Sequence, residues 1–237
     1  MSAVPTKVLL VDSDSQIRAF LRRKLSRQGY EVIEASSDCA ALNALVKQPT
    51  LIILDPDLAG VGGDTILRRL RKWNDRVPII VLSNKDDEAE RIEAFNEGAC
   101  SYIAKPFGMD ELLARIRVAR RRQLQMQGVR PLFRVGGVSI DLVRQAVTLN
   151  GRDAQLSSKQ YELLRTFVVH AGKVLSHNFL LEELWGVATD RQHVRVAVQL
   201  LRRKIESDPL CPRIIQTEQG VGYRLREPVS AVMQNGR

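Results

Sequence analysis

Carboxylate side chains follow two apolar segments in the first half of this 237-residue chain. Asp12 and Asp14 come directly after the run VLLV, and Asp55 and Asp57 follow the run LIIL. Carboxylates that lie close together repel one another unless a cation separates them, and oxygen ligands suit Mg²⁺. These residue types therefore indicate a magnesium site, provided that the fold brings the two pairs together.

Two further polar side chains occupy comparable positions. Ser83 ends the apolar run IIVL, and Lys105 follows the segment SYIA. A hydroxyl and an ammonium group at the same place could hold a phosphoryl group beside the metal. A single acid after a strand is more readily explained as a helix cap. Polar groups at the ends of successive apolar segments instead favour one shared site.

The elements that must position these residues alternate between strands and helices. Apolar runs predict strands, and helical periodicity predicts a helix after each of them. This pattern predicts a doubly wound α/β domain, (βα)5, over residues 1–122, with a parallel sheet that binds ligands at the carboxyl ends of its strands. The strands are expected at 8–11, 30–34, 51–54, 79–82 and 101–103, and the helices at 15–28, 38–47, 64–73, 86–97 and 110–122.

The pattern changes in the second half. Residues 123–131 are polar and contain a Gly and a Pro, which predicts a linker. In 132–228, short strands, a hairpin turn at Asn150-Gly151, three helices (158–170, 177–185, 190–206) and a final hairpin follow one another. That order is typical of an α+β winged helix-turn-helix domain. Residues 229–237 are expected to form a frayed tail.

The charge distribution favours a polyanionic partner for the second half. Residues 1–122 hold 20 Lys and Arg against 17 Asp and Glu, a net +3, whereas residues 123–237 hold 16 against 10, a net +6. The hydrophobic content of 44% excludes a disordered chain, and charged residues interrupt every apolar run before it could span a membrane. Three scattered cysteines and the lack of an export signal at the start predict a cytoplasmic protein.

The predicted helix at 190–206 combines an apolar stripe with basic and amide side chains. Val194, Val198, Leu201 and Ile205 recur at helical spacing and form the core stripe. Away from it, the sequence predicts a row of Arg195, Gln199 and Arg202. Arg pairs with guanine and Gln with adenine in the major groove, so this helix is a candidate for reading double-stranded DNA.

The motifs resemble a known family. VLLVDSDS, LIILDPDL, VPIIVLSN and SYIAKPF, in this order, resemble the receiver domain of two-component response regulators. LSSKQYELLRTFVVHAGKVLS, LLEELWG, LLRRKIESDP and IIQTEQGVGYRL are similar to the winged-helix effector of the OmpR/PhoB subfamily. The resemblance covers roughly residues 6–226.

The resemblance implies a role for individual residues of the first half. Asp55 would be the phosphoryl acceptor, Lys105 the phosphate-binding cation, and Ser83 and Tyr102 the switch pair that responds to phosphorylation. Mg²⁺ would be held by Asp12, by Asp55 and by the backbone carbonyl of Asp57.

The resemblance also implies contacts and partners. Arg202, Arg203, Thr217 and Arg224 match usual DNA-contacting positions, and Arg91, Glu111, Arg115 and Arg122 match positions of a dimer face. A transcription regulator of this kind is not an enzyme. Its partners would be a sensor histidine kinase, a promoter with direct-repeat half-sites, a second copy of the chain and RNA polymerase, with no role for a membrane.

The chain departs from the family pattern in three places. Pro56 directly follows Asp55, and Ala59 stands where a proline is usual. Ser13 stands where a second metal-binding acid is usual, which predicts weak Mg²⁺ binding and slow phosphorylation of Asp55. Cys100 and Ser101 stand where acidic partners of the dimer face are usual, which predicts weaker dimerisation. Two alternatives stay open: a phosphorylation-independent DNA-binding regulator with a vestigial or ligand-sensing receiver, and a phosphotransfer protein of a phosphorelay.

Overall fold

The computed structural model describes residues 6–58, 65–186 and 191–227, and the chain divides into two compact units, one ending at Gly128 and the other beginning at Val129. Within the described residues, no helix is both long and apolar enough to cross a membrane. The predicted tail at 229–237 lies outside the described residues.

The first unit is a parallel five-stranded sheet in the order β2-β1-β3-β4-β5, with a helix after each strand. This confirms the predicted doubly wound α/β fold. The strands are β1 (Lys7–Val11), β2 (Glu31–Ala35), β3 (Leu51–Leu54), β4 (Ile79–Ser83) and β5 (Ser101–Ala104). The helices are α1 (Ser15–Arg27), α2 (Asp38–Ala44), α3 (Ile66–Trp73), α4 (Glu88–Asn96) and α5 (Met109–Met126).

The central strands are apolar at every position because both faces of the sheet are covered. All four residues of β3 are fully buried, and alternate ones belong to two separate core clusters. Ile52 and Leu54 pack on one face with residues of α3, whereas Leu51 and Ile53 pack on the other with residues of α1 and α5. Burial on both faces is what the uninterrupted apolar runs predicted.

The second unit contains two small antiparallel sheets and three helices. One sheet has the order β6-β7-β8-β9, and the other has the order β10-β12-β11. Its strands are β6 (Leu132–Val135), β7 (Val138–Asp141), β8 (Ala146–Leu149), β9 (Arg152–Asp153), β10 (Val174–Ser176), β11 (Ile215–Glu218) and β12 (Gly222–Leu225). Its helices are α6 (Ser158–Val169), α7 (His177–Trp185) and α8 (Arg191–Ile205).

The turn and cap signals of this unit are found where the sequence places them. Asn150 and Gly151 both have positive φ, 52° and 80°, as a two-residue hairpin turn requires. Ser157 and Gln160 form a reciprocal capping box at the start of α6.

Two features differ from the sequence-based expectation. Helix α5 continues to Met126, so the first four residues of the predicted 123–131 linker are helical. The segment QLQM contains good helix formers, and the chain leaves the helix only near Gly128, at φ 71°. Strand β10 was missed because three residues carry too little periodicity, and it forms only by pairing with β12.

Candidate acidic site and nucleic-acid interface

Strands β1 and β3 are neighbours, and they carry Asp12 and Asp55 to one edge of the sheet. Val11 pairs with Leu54 at the carboxyl ends, and the Asp55 amide donates to the Val11 carbonyl at 2.8 Å. The two acids that follow are nearly inaccessible, with 1% of Asp12 and 4% of Asp55 exposed. The prediction that the two strand ends meet is confirmed.

Lys105 contacts both acids. Its Nζ lies 2.8 Å from Asp12 Oδ2 and 2.6 Å from Asp55 Oδ2. Burial alone would lower the pKa of Lys105, but hydrogen bonds and charge attraction from Asp12 and Asp55 outweigh it and raise the pKa above its usual value. One ammonium group therefore holds two buried carboxylates together.

Ser83 and Tyr102 lie along the neighbouring strands of the same sheet. Ser83 is fully buried at the end of β4, and its Oγ accepts a hydrogen bond from the Lys85 amide at 3.1 Å. Tyr102 on β5 is also buried, and its hydroxyl donates to the Lys85 carbonyl at 2.7 Å. Both side chains of the expected switch pair therefore contact the backbone of Lys85, and Tyr102 points inward.

The other acids near these strand ends have separate partners. Asp14 is the N-cap of helix α1, because its carboxylate accepts a hydrogen bond from the Gln16 amide at 2.7 Å. The Asp57 amide donates to Asp55 Oδ1 at 2.9 Å, and the Asp57 carboxylate lies 3.8 Å from Lys85 Nζ. Ser13 is exposed.

Arg18 is a residue of this edge that the sequence reasoning missed. Its Nη1 donates to the carbonyl of Asp12 at 2.7 Å and to that of Ser13 at 2.9 Å. The contact adds a second positive charge beside the acids. No sequence signal identifies it, because it depends on the path of the loop between β1 and α1.

The donors at this edge fit Mg²⁺ in kind but are few. Asp12 and Asp55 are hard oxygen donors, and Mg²⁺ commonly binds one or two carboxylates together with water and phosphate. Within the described ranges no group of three or more His, Cys, Asp or Glu side chains is arranged to hold a metal ion. Ser13 offers a neutral oxygen where a charged one would strengthen the site.

The second candidate site is helix α8. Val194, Val198, Leu201 and Ile205 are almost fully buried, which confirms the core stripe, whereas Arg195, Gln199 and Arg203 are exposed. The remaining member of the predicted row, Arg202, is only partly exposed.

Arg202 is held by the hairpin of β11 and β12. Its Nε and Nη2 donate to the Ile215 carbonyl at 3.1 and 2.7 Å, and Nη2 also donates to Thr217 Oγ1 at 2.8 Å. Its guanidinium lies 5.5 Å from the centre of the Tyr223 ring. At about 100° per residue, Arg202 and Arg195 lie on the flank of α8, not opposite its core stripe. The prediction that Arg195, Gln199 and Arg202 form one row opposite the core stripe is therefore wrong for Arg195 and Arg202.

The remaining expected DNA contacts lie on the same hairpin. Thr217 on β11 accepts the bond from Arg202, and Arg224 on β12 forms an ion pair with Glu218. Glu206, at the end of α8, fixes the start of this hairpin. Its carboxylate accepts from the amides of Arg213, Ile214 and Ile215 at 2.9–3.0 Å.

Comparison with known proteins gives matches over both units. The response regulator receiver domain family matches residues 8–117, and the family of transcriptional regulatory protein, C terminal, matches residues 151–225. The KDP operon transcriptional regulatory protein KdpE of Escherichia coli (strain K12) is 39% identical over 222 residues, which cover 92% of this chain and 98% of that protein. The chain belongs to the two-component response regulators of the OmpR/PhoB type.

Two further relatives match this chain over most of its length. The response regulator MprA of Mycobacterium sp. (strain KMS) is 36% identical over 94% of this chain and 99% of its own length. The solved structure of DrrB, a Thermotoga maritima OmpR/PhoB homologue, is 30% identical, covers 94% of this chain and 100% of that chain, and has a TM-score of 0.44. The two family matches identify the first unit of the regulator as its receiver domain and the second as its DNA-binding effector domain.

The expected dimer face of the receiver domain is exposed. Arg91, Glu111, Arg115 and Arg122 are all accessible. Arg91 pairs with Asp86 of its own chain, and Arg115 Nη2 lies 3.7 Å from Glu111 Oε1. Of the positions where acidic partners are usual, Cys100 is exposed and Ser101 is buried.

Proposed function

We propose that this regulator accepts a phosphoryl group on Asp55 from a sensor histidine kinase, and that phosphorylation controls its pairing and promoter binding. The observation that carries the proposal is the position of Lys105, whose ammonium lies 2.6 Å from the buried Asp55 carboxylate. A carboxylate beside a fixed cation is a nucleophile whose phosphorylated product finds a ready counter-charge.

The transfer step follows from these positions. An Asp55 oxygen attacks the phosphorus of a phosphohistidine whose other ring nitrogen is protonated; the new O–P bond forms as the P–N bond breaks, and neutral imidazole leaves. Lys105 moves its contact from the carboxylate to the phosphoryl oxygens. Asp12, Asp55 and the Asp57 carbonyl would hold Mg²⁺, which supplies further charge neutralisation when bound.

The same residues support a slow reaction. Ser13 brings no charge to the metal site, and Arg18 places a guanidinium group against the Asp12 and Ser13 carbonyls. Both features lower the attraction of this edge for a dication. We infer that Mg²⁺ binds weakly and that Asp55 is phosphorylated slowly.

The signal would pass through Ser83 and Tyr102 to the exposed face of α4, β5 and α5. Rotation of the Ser83 side chain to donate to a phosphoryl oxygen would displace its bond from the Lys85 amide, and Tyr102 is bonded to the carbonyl of the same residue. Exposed ion pairs contribute about 0–1 kcal/mol each, so a homodimer that lacks two acidic partners is weak.

On DNA, the effector domains of such a homodimer would occupy direct-repeat half-sites beside RNA polymerase. Helix α8 carries five Lys and Arg residues and no acid. Contacts of these cations with phosphates supply most of the affinity, and exposed side chains of α8 supply the discrimination between sequences.

A phosphorylation assay tests this proposal. We expect wild type to accept phosphate from a small phosphodonor only slowly in Mg²⁺, Ser13→Asp to accept it faster and to bind Mg²⁺ more tightly in calorimetric titration, and Asp55→Asn to accept none. Each additional 1.4 kcal/mol of Mg²⁺ binding free energy corresponds to a tenfold gain in affinity. Ser13→Asn is the matched control, because Asn has nearly the size of Asp but carries no charge. It should behave as wild type.

DNA binding with and without the phosphodonor completes the test. The proposal requires that phosphorylated wild type bind a promoter fragment more tightly than Asp55→Asn does. Equal binding by the two proteins would instead support a receiver that acts without phosphate.

A further inference from the structure

Two aliphatic side chains on the outer surface of α8 are strongly exposed. Val196 is 47% exposed and Leu200 is 44% exposed, whereas Val194 and Leu201 of the core stripe are fully buried. Single exposed apolar residues are common. Residues at i and i+4 are neighbours on a helix surface, so Val196 and Leu200 form one continuous apolar patch.

This patch lies on the side of α8 that faces away from the core. At about 100° per residue, Val196 and Arg203 lie within about 20° of the direction opposite the core stripe, and Leu200 and Gln199 lie about 50° to either side of it. Gln192 lies in the same sector, so the outermost strip of α8 carries two aliphatic groups, two amides and one guanidinium.

The surroundings of the patch indicate its occupant. Arg195, Arg203 and Lys204 are exposed on the same helix, which has no acidic residue. A cationic border fits a polyanion, and the major groove of DNA offers one apolar group for an aliphatic side chain, the C5 methyl of thymine. The guanidinium of Arg202 is already bonded to the β11–β12 hairpin. Discrimination between DNA sequences therefore falls to the side chains of this outer strip.

We infer that Val196 and Leu200 pack against thymine methyl groups and so select thymines in the recognised half-site. The inference rests on the proposed DNA-binding face of α8. The helix rises about 6 Å between the two residues, which spans about two base steps when α8 lies along the groove. Gln199 and Arg203 beside them would pair with adenine and guanine edges.

Replacement of thymine by deoxyuracil tests the inference, because it removes the methyl group and keeps every hydrogen bond. A binding sequence is first selected with the full-length regulator from a randomised duplex, and each thymine is then replaced singly. We expect two positions, about two steps apart, at which wild type loses about three- to fivefold in affinity, the value of burying one methyl-sized group. Leu200→Ala should abolish the loss at one of them and Val196→Ala the loss at the other.

Leu132→Ala is the matched control. Leu132 is 46% exposed, on β6 of the same domain, and its truncation should leave every deoxyuracil effect as in wild type. Equal thermal unfolding of the three variants and wild type would show that the fold is intact.

Several results would overturn the inference. Wild type could bind thymine and deoxyuracil DNA equally, or the deoxyuracil losses could persist in Leu200→Ala and Val196→Ala. A change in sedimentation of these variants without a change in deoxyuracil sensitivity would mark the patch as a protein contact. Failure of the proposed DNA-binding face is distinguishable, because Arg195→Ala and Arg203→Ala would then leave affinity for the selected duplex unchanged.

Discussion

Replacement of Lys105 by methionine removes the ammonium group that contacts two buried carboxylates while keeping most of the side-chain volume. In the wild-type protein, Lys105 Nζ lies 2.8 Å from Asp12 Oδ2 and 2.6 Å from Asp55 Oδ2. In Lys105→Met the two acids would face one another with no ammonium group between them. We expect a large loss of stability at neutral pH.

The magnitude follows from the distances and the burial. At an effective dielectric constant of about 20, a unit-charge pair at these separations attracts by about 6 kcal/mol, and there are two such pairs. Much of this attraction offsets the desolvation of the three charges. Breaking a buried ion pair by removing one partner typically costs 3–5 kcal/mol, and we expect Lys105→Met to lie in that range at pH 7.

Chemical unfolding with and without Mg²⁺ measures this cost and its origin. Lys105→Met should regain stability in Mg²⁺, because the metal replaces the lost cation and binds the folded state preferentially. Lys105→Met combined with Asp12→Asn is the matched control, since only one carboxylate then remains charged, and it should be less destabilised. A loss below about 1 kcal/mol at pH 7, or no response to Mg²⁺, would refute the reasoning.

Three further predictions concern stability and DNA binding. Glu206→Gln should lower the free energy of unfolding by about 1–3 kcal/mol in denaturant titration, because the new amide nitrogen is unable to accept from the Arg213 amide. Arg202→Ala should weaken binding to selected and random DNA by similar factors in a mobility-shift assay, because the hairpin loses its contact with α8; a loss confined to selected DNA would place Arg202 on a base edge. The raised pKa of Lys105 makes its ion pairs fully stabilising below about pH 10.4 and lost as the pH rises through that raised value. Wild type should therefore lose more stability than Lys105→Met in alkaline thermal unfolding, and parallel losses would contradict this.

Most of the residues of the acidic site could be predicted from the sequence, but their contacts could not. Asp12, Asp55 and Lys105 were predicted to share one edge because parallel strands end together, and the structure brings them within hydrogen-bonding distance. Asp14 was predicted as either a ligand or a helix cap, and the structure shows the cap. The direct contact of Lys105 with both acids depends on the tertiary structure, since a lysine side chain has many rotamers.

Helix α8 likewise has features that the sequence predicts and features that only the tertiary structure decides. The buried stripe was predictable, because apolar residues at spacings of three and four have one side in common. The position of Arg202 was not, because its partners Ile215 and Thr217 belong to a hairpin that forms only in the folded domain.

The sequence by itself determined the architecture of both domains, the family and the residues at the strand ends, because these depend on local periodicity, turn residues and short motifs. The tertiary structure alone decided which long cationic side chain meets which acceptor. Lys105 reaches across the sheet edge to Asp12 and Asp55, and Arg18 and Arg202 bond to backbone carbonyls. Lys and Arg side chains are flexible, and their conformation is set by acceptors that the fold brings close, in some cases from distant parts of the chain.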